Sequence, residues 1–273
     1  MPDFSTLEFF SRALAAGLVV GGACSLLGVL VVLKRVVFAG AALAEIASAG
    51  LALGFYLGFG THGHAPIIFA FAVTLATAAL FAYPTRNRVL PQESLIAVGF
   101  VVGAAMALFL VSKSAEGVEE LKHILSGHLL TARPEEVLVN FVILFLLVVI
   151  YFVCFKQILY VSFDPETAHS AGLSPRFWNL IFYQILGLVI AIAIRSAGTL
   201  LVIGYLVLPA AGALLASRRI LTAHLLSLIL AAVGTVAGIG ASFAWDVPAS
   251  AAVVLVLFLL AGGCAAAAAL RSD

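Results

Sequence analysis

Ser162-Phe-Asp-Pro-Glu-Thr-Ala-His-Ser-Ala-Gly-Leu-Ser-Pro-Arg176 is a polar island between long apolar stretches, and its reading decides the architecture of the chain. Asp164 followed by Pro165 has the form of a helix start. The carboxylate can accept from the first free backbone N–H groups, and the proline's missing N–H costs nothing at that position. Gly172 predicts the other end, at a left-handed backbone position. Ser174-Pro175 then repeats the start signal, ahead of the apolar run from Phe177. The island therefore predicts a short capped helix, with Glu166 and Ala168 in its body, lying in water between two membrane-spanning helices. It is a handle by which something outside the bilayer could move what lies inside it. An ordinary solvated connection can carry the same double capping.

The residues around the island set the class. The chain is 64% hydrophobic and 10% charged, with a mean hydropathy of +1.21, whereas soluble domains average about 25% charged residues. This composition predicts an all-α, polytopic helical membrane protein. A crossing needs about 20 apolar residues, and nine segments qualify: 8–33, 42–60, 65–83, 94–111, 137–155, 177–194, 198–216, 221–243 and 248–270. Short connections predict a single transmembrane domain over 1–273. Only Arg195-Ser-Ala separates the sixth segment from the seventh, so a re-entrant arrangement there would leave eight crossings. The net charge of +1 and the absence of any basic patch argue against a nucleic-acid partner. Cys24, Cys154 and Cys264 lie within apolar segments and predict packing rather than disulfides. Leu7 to Leu33 has acidic Asp3 and Glu8 at its front in place of a basic region and is too long for the apolar region of a signal peptide, so it is expected to be retained.

Orientation follows from the basic residues. With the island in the cytoplasm, Lys34, Arg35, Arg86, Arg88, Lys156, Arg176, Arg218, Arg219 and Arg271 lie inside. The N-terminus is then outside, the C-terminus inside, and the Arg195 linker faces outward. Within the helices, Gly17, Gly21 and Ser25 at four-residue spacing predict a close helix contact. Glu45 is the acid placed inside an apolar segment, where an ionised group costs several kcal/mol unless it faces water or a partner. Ala41, Glu45, Ser48, Ala52 and Tyr56 share one small, polar face, which reads as a lining for a pathway. Snorkelling of Glu45 toward water, or pairing with Lys34 or Arg35, is the alternative.

His62 and His64 fall in an outer turn, and His123 and His128 in an amphipathic stretch before segment 137–155; each pair is a candidate, incomplete by itself, for a soft divalent ion. The sequence has no zinc-type ligand spacing, phosphate loop or nucleophile-and-base arrangement, so this chain should bind no cofactor and any ATP must be handled by another chain. Gly198, Gly204 and Pro209 predict interruptions in segment 198–216 of the kind that line sites or hinge in transporters.

These signals in this order resemble the permease subunit of the bacterial manganese, zinc and iron ABC importers. The resemblance is carried by Phe38-Ala-Gly-Ala-Ala-Leu-Ala-Glu45 after a basic pair, Glu93-Ser-Leu-Ile-Ala-Val-Gly99, Leu125-Ser-Gly-His-Leu-Leu130, the island itself, and Ala197-Gly-Thr-Leu-Leu-Val-Ile-Gly-Tyr-Leu-Val-Leu-Pro-Ala-Ala211. It implies a type II ABC importer-like fold in the bacterial inner membrane, surrounded by membrane lipid. It also implies a homodimer, cytoplasmic ATP-binding subunits, an extracytoplasmic metal-binding protein, and the island as the coupling helix seated in the ATPase.

The family's second helix reads Gly-Asp-x-Leu-Ala-His, with the Asp and His touching the metal in transit. Here those positions hold Ala41 and Glu45, and the usual Phe-Gly-Asp before the fifth helix is Ser126-Gly-His128. A carboxylate-only path favours an ion harder than zinc, such as manganese or ferrous iron. Two other functions fit less of the pattern. Permeases for chelated metals or vitamins share the coupling segment and the broken helix but are longer. A stand-alone channel or secondary transporter would need no ATPase.

Overall fold

The computed structural model describes residues 4–57, 65–83, 92–113 and 134–270, and all regular structure among them is helical. The helices are α1 (Phe4–Leu33), α2 (Val37–Tyr56), α3 (Ala65–Ala82), α4 (Gln92–Lys113), α5 (Pro134–Phe163), α6 (Pro165–Ser170), α7 (Pro175–Ala216), α8 (Ile220–Trp245) and α9 (Ala249–Ala269). Eight of them, all but α6, are long and apolar enough to cross a membrane. Helix is the expected outcome, because hydrocarbon offers no partner to an exposed backbone N–H or C=O.

The apolar segments sit where the sequence predicts, with two informative differences. Segment 137–155 extends to Phe163 in α5. Lys156 ends the hydropathy run but does not end a helix; the stop comes at Asp164-Pro165. Segments 177–194 and 198–216 are joined in the 42-residue α7, whose one non-helical residue is Gly198 (φ 78, ψ 163). The Arg195-Ser-Ala sequence is therefore helix and not linker. Ser196 is buried, and its hydroxyl accepts from Asn140 Nδ2 at 2.8 Å. At about 1.5 Å per residue, each side of Gly198 is close to a full crossing of the roughly 30 Å hydrocarbon. Of the predicted interruptions, only Gly198 breaks the helix. Gly204 and Pro209 lie in continuous helix, and Gly204 is instead a contact point, where a Cβ would stand 2.7 Å from Val254 Cγ2.

The chain divides into two compact units. One holds the described parts of 1–35, 123–146 and 195–273, in which α1 packs on α8 and α8 on α9. The face of α1 marked by Gly17, Gly21 and Ser25 is indeed the contact face. The ring of Tyr205 lies against Gly21, and Ser227 donates to the Ser25 carbonyl at 2.9 Å. Thr235 donates its only hydroxyl hydrogen to the Ala231 carbonyl at 2.7 Å. The 2.6 Å bond between Tyr205 and Thr235 must therefore run from the phenol to the threonine oxygen.

The other unit holds the described parts of 36–122 and 147–194, with α2 packed on both α3 and α4. Small residues set these distances. A Cβ at Gly50 would lie 2.6 Å from the Cα of Ala70, and one at Gly103 would lie 3.0 Å from the backbone nitrogen of Ile46. Side-chain amides complete the unit. Gln184 donates to the Leu75 carbonyl at 3.0 Å, and Asn179 donates to the Ala82 carbonyl at 2.9 Å.

The tightest approach is at Gly28, where a Cβ would fall on the carbonyl oxygen of Leu206, a backbone atom that no rotamer change can move aside. Gly28→Ala is expected to destabilise the protein by about 1–3 kcal/mol, the usual cost of overpacking, seen as a lower thermal unfolding midpoint in detergent. Gly262→Ala is the control, since a Cβ there meets nothing within 4 Å. An unchanged midpoint for Gly28→Ala would overturn the close approach.

Candidate functional site

The island forms α6, capped at both ends. Asp164 Oδ1 accepts from the Thr167 N–H at 3.0 Å, and Pro165 occupies the first helical position. At the far end the Leu173 N–H reaches the Ala168 carbonyl at 3.0 Å and the Gly172 N–H reaches the His169 carbonyl at 3.0 Å. This pair of bonds is the Schellman closure, and it places Gly172 at φ +83, a conformation that glycine adopts without penalty. Hydrogen bonds from Thr167, through its hydroxyl first and its backbone N–H second, hold the Asp164 carboxyl below the usual carboxylate range. The charged form makes the cap, so the cap is intact at neutral pH and is lost only as pH falls below that range.

Almost all of α6 faces outward. Asp164, Pro165, Glu166, Thr167, His169 and Ser170 are exposed, and Ala168 alone is buried. Phe163 and Phe177, one before α6 and one after it, are 61% and 55% exposed. The result is a rigid knob with one small residue turned inward, flanked by open aromatic rings.

Glu45 stands in the middle of the 20-residue α2. Together with Ala41 it is half-buried, and Phe38 one turn earlier is 49% exposed and lies 5.3 Å from the Phe100 ring. Beyond Glu45 the stripe closes. Ser48 and Ala52 are each 1% exposed, and Ser48 spends its hydroxyl hydrogen on the Ala44 carbonyl at 3.0 Å. The face is therefore open at Phe38, Ala41 and Glu45, closed at Ser48 and Ala52, and open again at Tyr56, which is 51% exposed. Periodicity identifies the face, but only tertiary packing decides which part of it is covered. On the α4 side, Gly103 lets the helix backbones meet at Glu45 and Ile46, where a Cβ would stand 3.1 Å from the Glu45 carbonyl carbon.

His62, His64, His123 and His128 lie outside the described residues. Among the described residues no three His, Cys, Asp or Glu side chains gather to hold a metal ion.

Eight membrane-length helices with an exposed, doubly capped helix between two of them define a multi-pass plasma-membrane protein of ABC-permease architecture. The chain belongs to the ABC 3 transport family, whose model matches residues 6–265. It is 28% identical over 253 residues to the manganese import system permease protein ScaB of Streptococcus gordonii, covering 93% of this chain and 89% of that protein. The manganese transport system membrane protein MntC of Listeria innocua is 27% identical over 253 residues, covering 92% and 88%. Among solved structures, PsaBC from Streptococcus pneumoniae in complex with Fab matches with a TM-score of 0.82 at 25% identity, over 94% of this chain and 90% of that one.

No atom lies within 4 Å of a Cβ built at Gly172, so a substitution there acts through backbone conformation alone. Gly172→Val is expected to open the end of α6 and speed proteolysis within 162–176 by about 5- to 30-fold, the worth of the roughly 1–2 kcal/mol that a left-handed residue costs. Gly172→Asn, which tolerates that conformation, should stay near the wild-type rate. Equal rates for the two variants would overturn the assignment.

Proposed function

We propose that this chain is the membrane-spanning permease subunit of an ABC importer that carries a divalent transition metal ion, manganese first, into the cytoplasm. The observation that carries the reading is Glu45. Among the described residues it is the one acid standing well inside a membrane-length helix, on the open part of the α2 face. An isolated carboxylate at that depth costs stability, so its presence points to function. Its oxygen donors suit hard ions such as manganese or ferrous iron better than zinc. The family and the manganese-transport names of the relatives support the same class.

In this reading two copies of the chain pair, and the Glu45 carboxylates of both approach one ion. Separate cytoplasmic ATP-binding subunits supply the energy, and α6, with Asp164, Pro165, Glu166, Ala168 and Gly172, is the surface that they grip. An extracytoplasmic metal-binding protein delivers the ion. The ion is cargo, and the chain carries no cofactor of its own.

Metal uptake by Glu45→Gln is expected to fall at least about tenfold with expression unchanged, because a carboxylate–ion contact is worth several kcal/mol at an effective dielectric of about 20. Glu45→Asp should retain a measurable share. Normal uptake by the Gln variant would leave Glu45 as a snorkelling side chain and sink the ligand role. In the assembled transporter, Gly172→Val should leave the chain in the membrane while ATP hydrolysis continues without matching ion movement. Unimpaired transport in that variant would count against α6 as the coupling element.

A further inference from the structure

The end of α7, the first half of α8 and the end of α9 enclose a groove of about 510 Å³ in the unit that contains all three. Its lining is Leu215, Leu230, Leu259 and Leu260, with small residues including Gly263 and Cys264, and Arg218 as the one charged group. The volume lies in the range of about 300–1,000 Å³ typical of small-molecule sites. Leu215 and Leu259 are 56% and 70% exposed, so the groove opens onto the outer surface of the protein.

Its length has a physical meaning. On α8 the lining reaches Leu230, ten residues in from the helix start at Ile220, and on α9 it runs from Leu259 to Ala268. At about 1.5 Å per residue the groove reaches close to 15 Å in from the helix ends, which is half of the roughly 30 Å hydrocarbon core and so the depth of one leaflet. Arg218 stands at the helix-end mouth, where headgroups lie. The turn that presents it is fixed: Ser217 Oγ donates to the Arg219 carbonyl at 3.0 Å and accepts from the Arg219 N–H at 3.3 Å. Arg219 adds a second exposed cation next in the chain, and among the described residues no acidic side chain lines the groove.

We propose that this groove binds one anionic phospholipid, its phosphate against Arg218 and an acyl chain along Leu215, Leu230, Leu259 and Leu260. An apolar trough of leaflet depth with a cation at its wet end matches both parts of such a molecule, and a zwitterionic lipid would gain less from the arginine. The inference does not depend on the ion carried.

The test is native mass spectrometry of the full transporter, extracted and exchanged into detergent with phosphatidylglycerol or phosphatidylcholine of the same acyl chains. The wild type should retain one phosphatidylglycerol per copy of this chain and at least about fivefold less phosphatidylcholine, the worth of one arginine at a headgroup. Arg218→Gln should erase that preference. Gly263→Leu, at a position where a Cβ meets nothing within 4 Å, should fill the trough and lower retention of both lipids without lowering the thermal midpoint. Inorganic phosphate should not displace the bound lipid. Equal retention of the two lipids by the wild type, a preference that survives Arg218→Gln, or full retention by Gly263→Leu would each overturn the proposal. So would Cys264 shielded from a thiol reagent equally in both lipids, which would mark a second protein copy as the occupant.

Discussion

A backbone amide inside hydrocarbon has nothing to bond with except its own chain, and every other feature of this protein is shaped by that constraint. It makes each crossing a helix, and it makes a break in a helix costly unless the freed groups find partners. It also removes the usual force between helices, because a lipid tail is as apolar as a leucine. What remains is contact distance and hydrogen bonding. Glycine faces supply the first, with Gly28 against Leu206, Gly50 against Ala70 and Gly103 against Ile46 bringing backbones together. Side chains supply the second. Tyr205, Ser227, Asn179 and Gln184 each reach a partner on another helix segment. Each such bond is worth only about 0.6 kcal/mol on average in a membrane, so the set fixes which faces meet more than it supplies total stability.

Much of this was legible from the residues. The double cap of α6 could be read because its signals are local: Asp164-Pro165 and Gly172 act within one or two turns and need no distant neighbour. The glycine face of α1 was legible for a related reason, since four-residue spacing is a property of the helix alone. The joint between the sixth and seventh segments was not. Arg195-Ser-Ala looks like a linker to any measure of hydropathy, yet arginine, serine and alanine are all acceptable in a helix, and Ser196 is satisfied by Asn140, which lies 56 positions away in the chain. The break falls instead at Gly198, where φ 78 with ψ 163 is open only to glycine. The α2 stripe stands between these cases. Its direction follows from period, but the burial of Ser48 and Ala52 beside the openness of Ala41 and Glu45 is set by tertiary packing, which the period cannot report.

Glu45 and α6 belong to the same compact unit but solve opposite problems. Glu45 keeps a polar group where polarity is expensive, and the surrounding structure limits the cost by leaving its face half open and closing it only at Ser48 and Ala52. Ser48 has turned its hydroxyl hydrogen back onto the helix, so it adds little polarity of its own. Under the proposed function, a single strong donor with weak neighbours suits a place where an ion pauses and then leaves, since binding must be favourable enough for entry and weak enough for exit.

The geometry around α6 bears on how a push from outside the bilayer would travel. Asp164 follows directly on the last residue of α5, and Ser174 directly precedes the first residue of α7. Between them the caps bind the ends of α6 through Asp164 to Thr167 and through Leu173 to Ala168, so the connection has no slack stretch in which a displacement would be absorbed. From Pro175 the helix runs to Ala197 before its one non-helical residue, a rigid rod of about 35 Å at 1.5 Å per residue. A rigid helix passes a rotation of its base along its whole length, whereas a flexible loop of the same eleven residues would dissipate it. Gly198, at φ 78 and ψ 163, is the one residue of α7 whose backbone leaves the helical region. If α6 is the coupling element proposed above, a glycine able to change backbone direction one crossing away from it is what a transporter needs for its path to open on one side while it is driven from the other.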